Sequence, residues 1–168
     1  MKAGYIERVS SNRTEAFFVV LTLLFFWLAV WRLNGIGFGA LAVIFLLLSA
    51  FFLFYSINYR TLIIHITAEM LELKFGLFIW RVPLDNVESC RLDETSLWRI
   101  GGAGIHFSPI NGRYRAMFNF LEYPRVVISL KRKMRLVQDI GFSTQRPDEL
   151  IEKIRLASSS IPHFDPPL

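Results

Sequence analysis

The sequence predicts a membrane protein of the α+β class, in which an α-helical hairpin precedes a small β-rich soluble domain. Three observations support this prediction: two long apolar runs near the start, a period-two alternation of apolar and polar residues after them, and a helix-like stretch near the end. Of the 168 residues, 53% are hydrophobic, whereas a soluble chain has about 45–50%. The excess lies in the two runs, so the remainder has the composition of one ordinary domain.

The first apolar run covers residues 16–33 and the second covers residues 36–57. As helices they would rise about 27 and 33 Å, close to the roughly 30 Å hydrocarbon core of a bilayer. Backbone groups in lipid must find partners within their own segment, so both runs are expected to be helical. The turn signal Asn34-Gly35 separates them and predicts an antiparallel hairpin. Close helix packing through Gly35, Gly37 and Gly39 is the less favoured explanation of these glycines.

Aromatic and basic side chains lie near the predicted helix ends. Trp and Tyr rings favour the membrane–water interface, and a long Arg side chain reaches the headgroups. The predicted interface anchors are Trp27, Trp31, Arg32, Tyr55 and Tyr59. Lys and Arg lie mainly before the first helix and after the second, which predicts a multi-pass protein of the plasma membrane with both termini cytoplasmic.

The predicted organisation has four parts: a cytoplasmic N-terminal segment (1–15), the transmembrane hairpin (16–57), the soluble domain (60–157) and a disordered tail (158–168). In the domain, apolar Leu71, Leu73 and Phe75 alternate with charged residues, which is typical of a half-buried strand. Other runs of this kind predict strands at 61–67, 78–82, 87–92, 114–120, 125–131 and 134–142.

The end of the domain has the features of a helix start. Pro147 suits the first helical turn, and the acidic residues Asp148 and Glu149 next to it complement the helix dipole. Leu150, Ile151, Ile154 and Ala157 would then form one apolar face. The sequence therefore predicts about seven strands followed by one helix.

This order resembles the pleckstrin-homology-like (PH-like) domains of small bacterial membrane proteins. The matching features are a helical hairpin leading into the first strand and the segments VPLDNVE (82–88), GGAGI (101–105), FST (142–144) and PDEL (147–150). The resemblance covers residues 60–157 together with the hairpin. It implies a split β-barrel of about seven strands capped by the C-terminal helix. It implies no catalytic residues, and phosphoinositide binding is not carried over with it.

The residue pattern indicates no catalytic centre, cofactor or metal site. The histidines His65, His106 and His163 lack the spacing of metal ligands. The glycine run at 101–104 is not followed by the Gly-Lys-Ser/Thr of a phosphate loop. Cys90 has no catalytic signature around it and is expected to be a small buried residue. Only an open pocket with Cys90 beside a histidine would favour an enzyme.

Two groups of residues are candidates for binding. The first is basic, fits anionic lipid or an acidic partner, and comprises Arg113, Arg115, Lys131, Arg132, Lys133 and Arg135. A solvated turn is the simpler explanation of its centre, residues 131–135. The second is aromatic and comprises Trp80, Trp98 and Phe107, for which core packing is the simpler explanation. No nucleic-acid recognition motif accompanies the net charge of +5, so nucleic acid is not an expected partner.

These observations predict a non-enzymatic interaction or scaffold module anchored in the lipid bilayer. Its domain would bind a membrane protein partner, or a second copy of the chain, at the cytoplasmic face. The alternative function is binding of anionic lipid through the basic hairpin at 131–135.

Overall fold

The computed structural model describes residues 4–159, without the side chains of Leu97 and Trp98. The protein belongs to the α+β class, as predicted, with two apolar helices, a C-terminal helix and two mostly antiparallel sheets. The elements are, in chain order, β1 (Tyr5–Ser10), α1 (Asn12–Ile36), α2 (Ala40–Asn58), β2 (Thr61–Ile66), β3 (Met70–Phe75), β4 (Phe78–Pro83), a 3-10 helix (Leu84–Asn86), β5 (Val87–Leu92), α3 (Leu97–Ile100), β6 (Gly104–Ile110), β7 (Arg113–Asn119), β8 (Arg125–Met134), β9 (Val137–Ser143) and α4 (Pro147–Ser159).

Helices α1 and α2 are long and apolar enough to cross a membrane. They pack against each other through aromatic side chains, with Phe25 stacked on Phe52 at a centroid distance of 5.5 Å. The Ser49 hydroxyl donates a hydrogen bond to the Thr22 carbonyl at 3.0 Å. This bond satisfies a polar side chain that would otherwise be costly in an apolar environment.

The turn between the helices lies later than the sequence predicted. The expectation of a turn at Asn34-Gly35 is wrong, since α1 continues through both residues to Ile36. The chain reverses at residues 37–39, where Gly37 has a φ of 87°. A helix ends readily at a residue that adopts positive φ, and glycine does so without steric cost.

The N-terminal segment is part of the domain. Residues 1–15 were expected to form a separate cytoplasmic segment, but Tyr5–Ser10 form β1 and pair antiparallel with β2. Burial alternates along β1, with Tyr5, Glu7 and Val9 buried. Ser10 lies opposite Thr61. The two helices are therefore inserted between neighbouring strands of one sheet.

The two sheets enclose one main hydrophobic core. Their strand orders are β1-β2-β3-β4 and β5-β8-β9-β7-β6, and every pair is antiparallel except β7 with β9. The core between them includes Phe75, Phe118, Ile128 and Phe142. The described residues form nine strands rather than about seven, because β1 and β6 were not predicted. Between residues 4 and 159, the two sheets do not close into a barrel.

Helix α4 covers one side of the sandwich. It begins at Pro147, as predicted, and packs against β5, with Leu150 and Ile154 fully buried. It continues to Ser159 and so includes the first two residues of the predicted disordered tail; residues 160–168 lie outside the described part of the chain. Away from α4, β4 forms one edge of the first sheet and β6 forms one edge of the second.

Candidate functional site

The predicted anchors Tyr55 and Tyr59 lie where the helices meet the domain. The Tyr55 ring lies 5.4 Å from Phe18 of α1 and 4.6 Å from Tyr59. Tyr59 in turn lies 5.3 Å from Phe75 in the domain core. Such aromatic pairs contribute about 0.5–1.5 kcal/mol each beyond their buried area. A continuous aromatic row therefore joins the helix pair to the core.

Hydrogen bonds strengthen the same junction. The Leu121 N–H donates to the Thr14 hydroxyl oxygen at 3.2 Å, and the Tyr123 hydroxyl donates to the Ser10 carbonyl at 2.8 Å. Gly104, at the start of β6, lies against Tyr55. The helices thus contact the end of the second sheet at which β7 ends and β6 and β8 begin.

The other predicted anchors lie near the far end of α1. Trp27 and Trp31 are each 60% exposed on the surface of the helix pair. Arg32 lies four residues before the end of α1. Its Nε and Nη1 atoms have no hydrogen-bond partner within residues 4–159. This end of the helix pair therefore carries one cation.

The basic hairpin has a different turn from the predicted one. Strand β8 continues through residues 131–134, and the chain reverses at Arg135 and Leu136. The Asn86 side chain accepts a hydrogen bond from the Arg132 N–H at 2.8 Å and donates one to the Arg132 carbonyl at 3.0 Å. These two bonds hold β8 where its register with β9 shifts. Residues 131–133 are exposed strand residues rather than the tip.

The tip of this hairpin lies far from the helices. β8 begins at Arg125 opposite Ser143, and Ser143 binds the Phe120 N–H next to the Leu121–Thr14 contact. From there β8 extends for ten residues, which is about 30 Å. The tip at Arg135 therefore lies about 30 Å along β8 from the part of the sheet that contacts α1.

Arg115 does not belong to an exposed basic surface. Its side chain is 3% exposed and lies 3.1 Å from Asp93 and 3.6 Å from Asp139. Arg113, at 39% exposure, lies 2.9 Å from Asp139 and 3.7 Å from Glu88. Arg115 is therefore buried within an ion network, and the role of the two arginines in binding lipid or a partner stays a prediction.

Asp93 is the centre of that network. Its carboxylate lies 3.4 Å from Arg125 and accepts two hydrogen bonds from Thr95, at 2.7 and 3.2 Å. Burial raises the pKa of Asp93, but the Thr95 hydrogen bonds and the charges of Arg115 and Arg125 lower it more, so the pKa lies below its ordinary 3.8. The network fastens the segment after β5 to the outer face of the second sheet.

Aromatic side chains close the core on the side of the free β4 and β6 edges. The Trp80 ring lies 6.3 Å from both Phe107 and Phe118. Phe107 is 42% exposed and Ile79 is 46% exposed. The structure thus brings two members of the predicted aromatic group together, partly in the core and partly at the surface. The side chain of Trp98, the third member, lies outside the described part of the chain.

Cys90 is buried in the core, whereas the described histidines lie on β2 and β6. Cys90 is 3% exposed in the core, and burial raises the pKa of its thiol to about 12. His65 alternates with buried Ile64 and Ile66 and so lies on the outer face of its sheet. His106 Nε2 lies 2.7 Å from the Ala103 carbonyl oxygen. Within residues 4–159, no group of three His, Cys, Asp or Glu residues is placed to hold a metal.

Comparison with known proteins identifies no relative. No protein-family model, no curated protein and no solved structure matches this chain.

Proposed function

We propose that this chain is a non-enzymatic, membrane-anchored binding module whose domain engages a protein partner at the cytoplasmic face of the plasma membrane. The observation that carries the proposal is the insertion of α1 and α2 between β1 and β2. The domain is joined to the helix pair at two points, so its orientation relative to the bilayer is fixed. A partner in the same membrane then encounters one face of the domain at a high effective concentration.

The charge distribution supports a hairpin with both termini cytoplasmic. Arg8, Arg13, Arg60 and Lys74 lie at or close to the helix ends that join the domain. Residues 37–39 at the other end carry no charge, and Arg32 is the nearest cation. The positive-inside rule favours the side with more Lys and Arg as the cytoplasmic one.

The β4–β6 side of the sandwich is the proposed partner surface. Edge strands present unpaired backbone N–H and C=O groups, to which an extended segment can pair as an added strand. β4 is the better acceptor of such a strand, because its proline, Pro83, is its last residue, whereas Pro109 lies within β6, and proline lacks an N–H. Ile79 and Phe107 add exposed apolar area beside it. The proposed occupant is therefore an extended apolar segment of a partner protein.

A PH-like identity for the domain is part of the same proposal. The order of a four-stranded antiparallel sheet, a second sheet and a C-terminal helix supports it. The five-stranded second sheet, with β7 parallel to β9, departs from the expected barrel of about seven strands. The proposed function depends on the exposed edge and not on that identity.

A non-enzymatic role is supported by the environment of Cys90. A thiol whose pKa is about 12 is protonated at neutral pH and is a poor nucleophile. The alternative function, lipid binding through residues 131–135, is less favoured because β8 carries that hairpin about 30 Å from the helix end of the sheet.

Site-specific photo-crosslinking in native membranes tests the partner surface. A photoreactive residue at Ile79 or Phe107 of the full-length protein should give one reproducible adduct. Leu136 and Leu156, which are 73% and 56% exposed, are matched apolar controls on other surfaces. An adduct of twice the chain mass identifies a second copy, and any other single mass identifies a different partner. The same bands from the controls, or none from Ile79 and Phe107, would contradict the proposal.

Cysteine labelling tests the sidedness of the hairpin. Phe38, in the turn and 80% exposed, is replaced as Phe38→Cys, and Arg132→Cys reports on the domain. Native Cys90 gives little background because it is buried. A membrane-impermeant maleimide should label Phe38→Cys in intact cells and Arg132→Cys only after permeabilisation. The opposite pattern would place the domain outside the cytoplasm.

A further inference from the structure

We propose that a groove at the junction of α2 and the first sheet binds the phosphate of an anionic phospholipid headgroup. The groove has a volume of about 270 Å³, and its lining includes Arg8, Arg60, Lys74, Asn58 and Gly76. The three cations come from β1, from the link between α2 and β2, and from β3. This site is independent of the β4–β6 side and of the basic hairpin.

Strand register places Arg8 and Lys74 close to the helix ends that join the domain. Arg8 pairs with Ile63, and Ile63 pairs with Lys74. The side chains of Arg8, Ile63 and Lys74 therefore form one row on the outer face of the sheet. This row is two residues from the Ser10–Thr61 pair, where the sheet meets the helices. Two residues span about 7 Å, which is within the Debye length of about 8 Å.

The groove has an excess of positive charge. Arg60 lies 3.5 Å from Glu15 and is 59% exposed. Arg8 and Lys74 have no carboxylate partner within residues 4–159. Three cations therefore face one carboxylate. The partial charges of about −0.5 at the α2 C-terminus and about +0.5 at the adjacent α1 N-terminus offset each other. The remaining positive charge favours binding of an anion.

Backbone packing and apolar neighbours favour a lipid over free phosphate. A Cβ at Gly76 would lie 2.1 Å from the Asn58 carbonyl oxygen, so the β3–β4 turn is packed tightly against the end of α2. Next to this contact, Ile57 and Leu77 are 64% and 74% exposed. Apolar side chains at the mouth of a basic groove suit the boundary between headgroups and acyl chains.

The test measures lipid affinity of the full-length protein in a neutral detergent, from the thermal stabilisation produced by added phosphatidylglycerol. The site variant is Arg8→Gln/Arg60→Gln/Lys74→Gln. The control, Lys131→Gln/Arg132→Gln/Lys133→Gln, removes the same charge far from the groove. We expect affinity to fall roughly fivefold per groove cation, or roughly a hundredfold for the three, because each contributes about 1 kcal/mol near an anionic surface. The control should keep its affinity.

Other additions and variants separate the remaining outcomes. Stabilisation by phosphatidylcholine equal to that by phosphatidylglycerol, or an equal loss in the control variant, would overturn the proposal. Inorganic phosphate as effective as the lipid would identify a free-phosphate site instead and overturn the lipid assignment. If the triple variant does not fold, Lys74→Gln alone should weaken binding about fivefold. Glu15→Gln should strengthen binding, and a weakening there would also contradict the proposal.

Discussion

At the scale of single residues, Glu7 connects the first strand to the segment before the last helix through hydrogen bonds. Its carboxylate is 3% exposed and accepts hydrogen bonds from the Tyr5 hydroxyl (2.9 Å), the Thr144 hydroxyl (2.7 Å) and the Gln145 N–H (2.7 Å). Burial and the Glu7 carboxylate raise the pKa of Tyr5, so its phenol keeps the proton that it donates. One side chain thus connects residues at opposite ends of the chain.

Replacing this carboxylate should destabilise the domain. Glu7→Gln keeps the shape but places an amide N–H₂ among three donors, so we expect a loss of about 2 kcal/mol in the free energy of unfolding. That corresponds to a fall in Tm of roughly 4–8 °C. Thermal unfolding of the full-length protein in detergent measures it. Glu94→Gln, at an exposed position, is the control and should change Tm by less than about 2 °C; equal shifts would contradict the role of Glu7.

Asp93 makes the stability of the domain depend on pH in the acid range. Its folded-state pKa is below the ordinary 3.8, so it contributes stability that is complete above that value and is lost as pH falls through the folded pKa. Asp93→Asn should abolish this part of the acid destabilisation. At pH 7 the variant should lose about 3 kcal/mol, because Arg115 and Arg125 stay buried with fewer partners.

Unfolding measured in urea at several pH values checks both effects of Asp93→Asn. Asp85→Asn is the matched control, since Asp85 is 52% exposed and lies 3.7 Å from Arg132. An exposed pair contributes less than about 1 kcal/mol. If the two variants had the same pH profile and the same stability at pH 7, the buried network would not be the cause.

Among the predicted binding residues, the exposure of some could be predicted from the sequence, but the burial of Arg115 could not. Exposure of residues 131–133 follows from their local pattern, and the structure confirms it. The burial of Arg115 depends on Asp93 and Asp139, its partners at 3.1 and 3.6 Å, each more than twenty residues away in the chain. An arginine in a strand carries no local sign of such partners. The groove of Arg8, Arg60 and Lys74 was missed for the same reason.

At the scale of elements, Gly76 is the contact between the β3–β4 turn and the end of α2. It has a φ of +61°, and a Cβ there would lie 2.1 Å from the Asn58 carbonyl oxygen. Gly76→Ala should therefore combine backbone strain of about 1–2 kcal/mol with a displacement of the turn. Gly112→Ala is a matched control, with a φ of +79° but open space around it.

The two glycine variants separate strain from packing. We expect Gly112→Ala to cost about 1 kcal/mol and Gly76→Ala clearly more, about 3 kcal/mol. Thermal unfolding of the full-length protein in detergent gives both values. Similar losses in the free energy of unfolding for the two variants would mean that the β3–β4 turn is not tightly packed against α2. Faster proteolysis near Leu77 in Gly76→Ala alone would support the contact.

Elements with a strong local pattern were predictable and the others were not. Strand β3 alternates cleanly along residues 71–75, and the structure has it there. β6 was missed because Pro109 and the preceding glycines break the strand pattern. The helix turn was misplaced because Asn34-Gly35 is a turn signal in water, whereas a helix in an apolar run continues while its backbone groups find partners within it. Gly37, with positive φ, is the residue that ends it.

At the scale of the whole molecule, the helical hairpin is an insertion within a sheet. The sequence predicted a domain at 60–157, but its first sheet is completed by Tyr5–Ser10, on the far side of both helices. This pairing could not be predicted from the sequence, because a strand of six residues has no local signal that identifies a partner about fifty to sixty positions away. The two helices are therefore an insertion within the domain and not a segment that precedes it.

This insertion predicts how the soluble part can be obtained without the helices. Ser10 and Thr61 are opposite each other in an antiparallel pair, so a turn of two to five residues can join them. A chain of residues 4–159 in which such a turn replaces residues 11–60 should be monomeric without detergent and keep both sheets. It should be less stable than the full-length protein, because the Tyr59–Phe75 and Thr14–Leu121 contacts are lost.

The fragment 60–157 is the decisive comparison for that chain. It lacks β1, so β2 becomes an open edge beside the buried residues Leu62 and Ile64, and an exposed apolar edge favours aggregation. Gel filtration and near-UV circular dichroism should show a folded monomer for the turn-joined chain and aggregated or loosely packed material for the fragment. If the fragment folded as stably as the turn-joined chain, β1 would be peripheral and the helices would merely precede the domain. If neither folded, the contacts with α1 and α2 would be essential to the core.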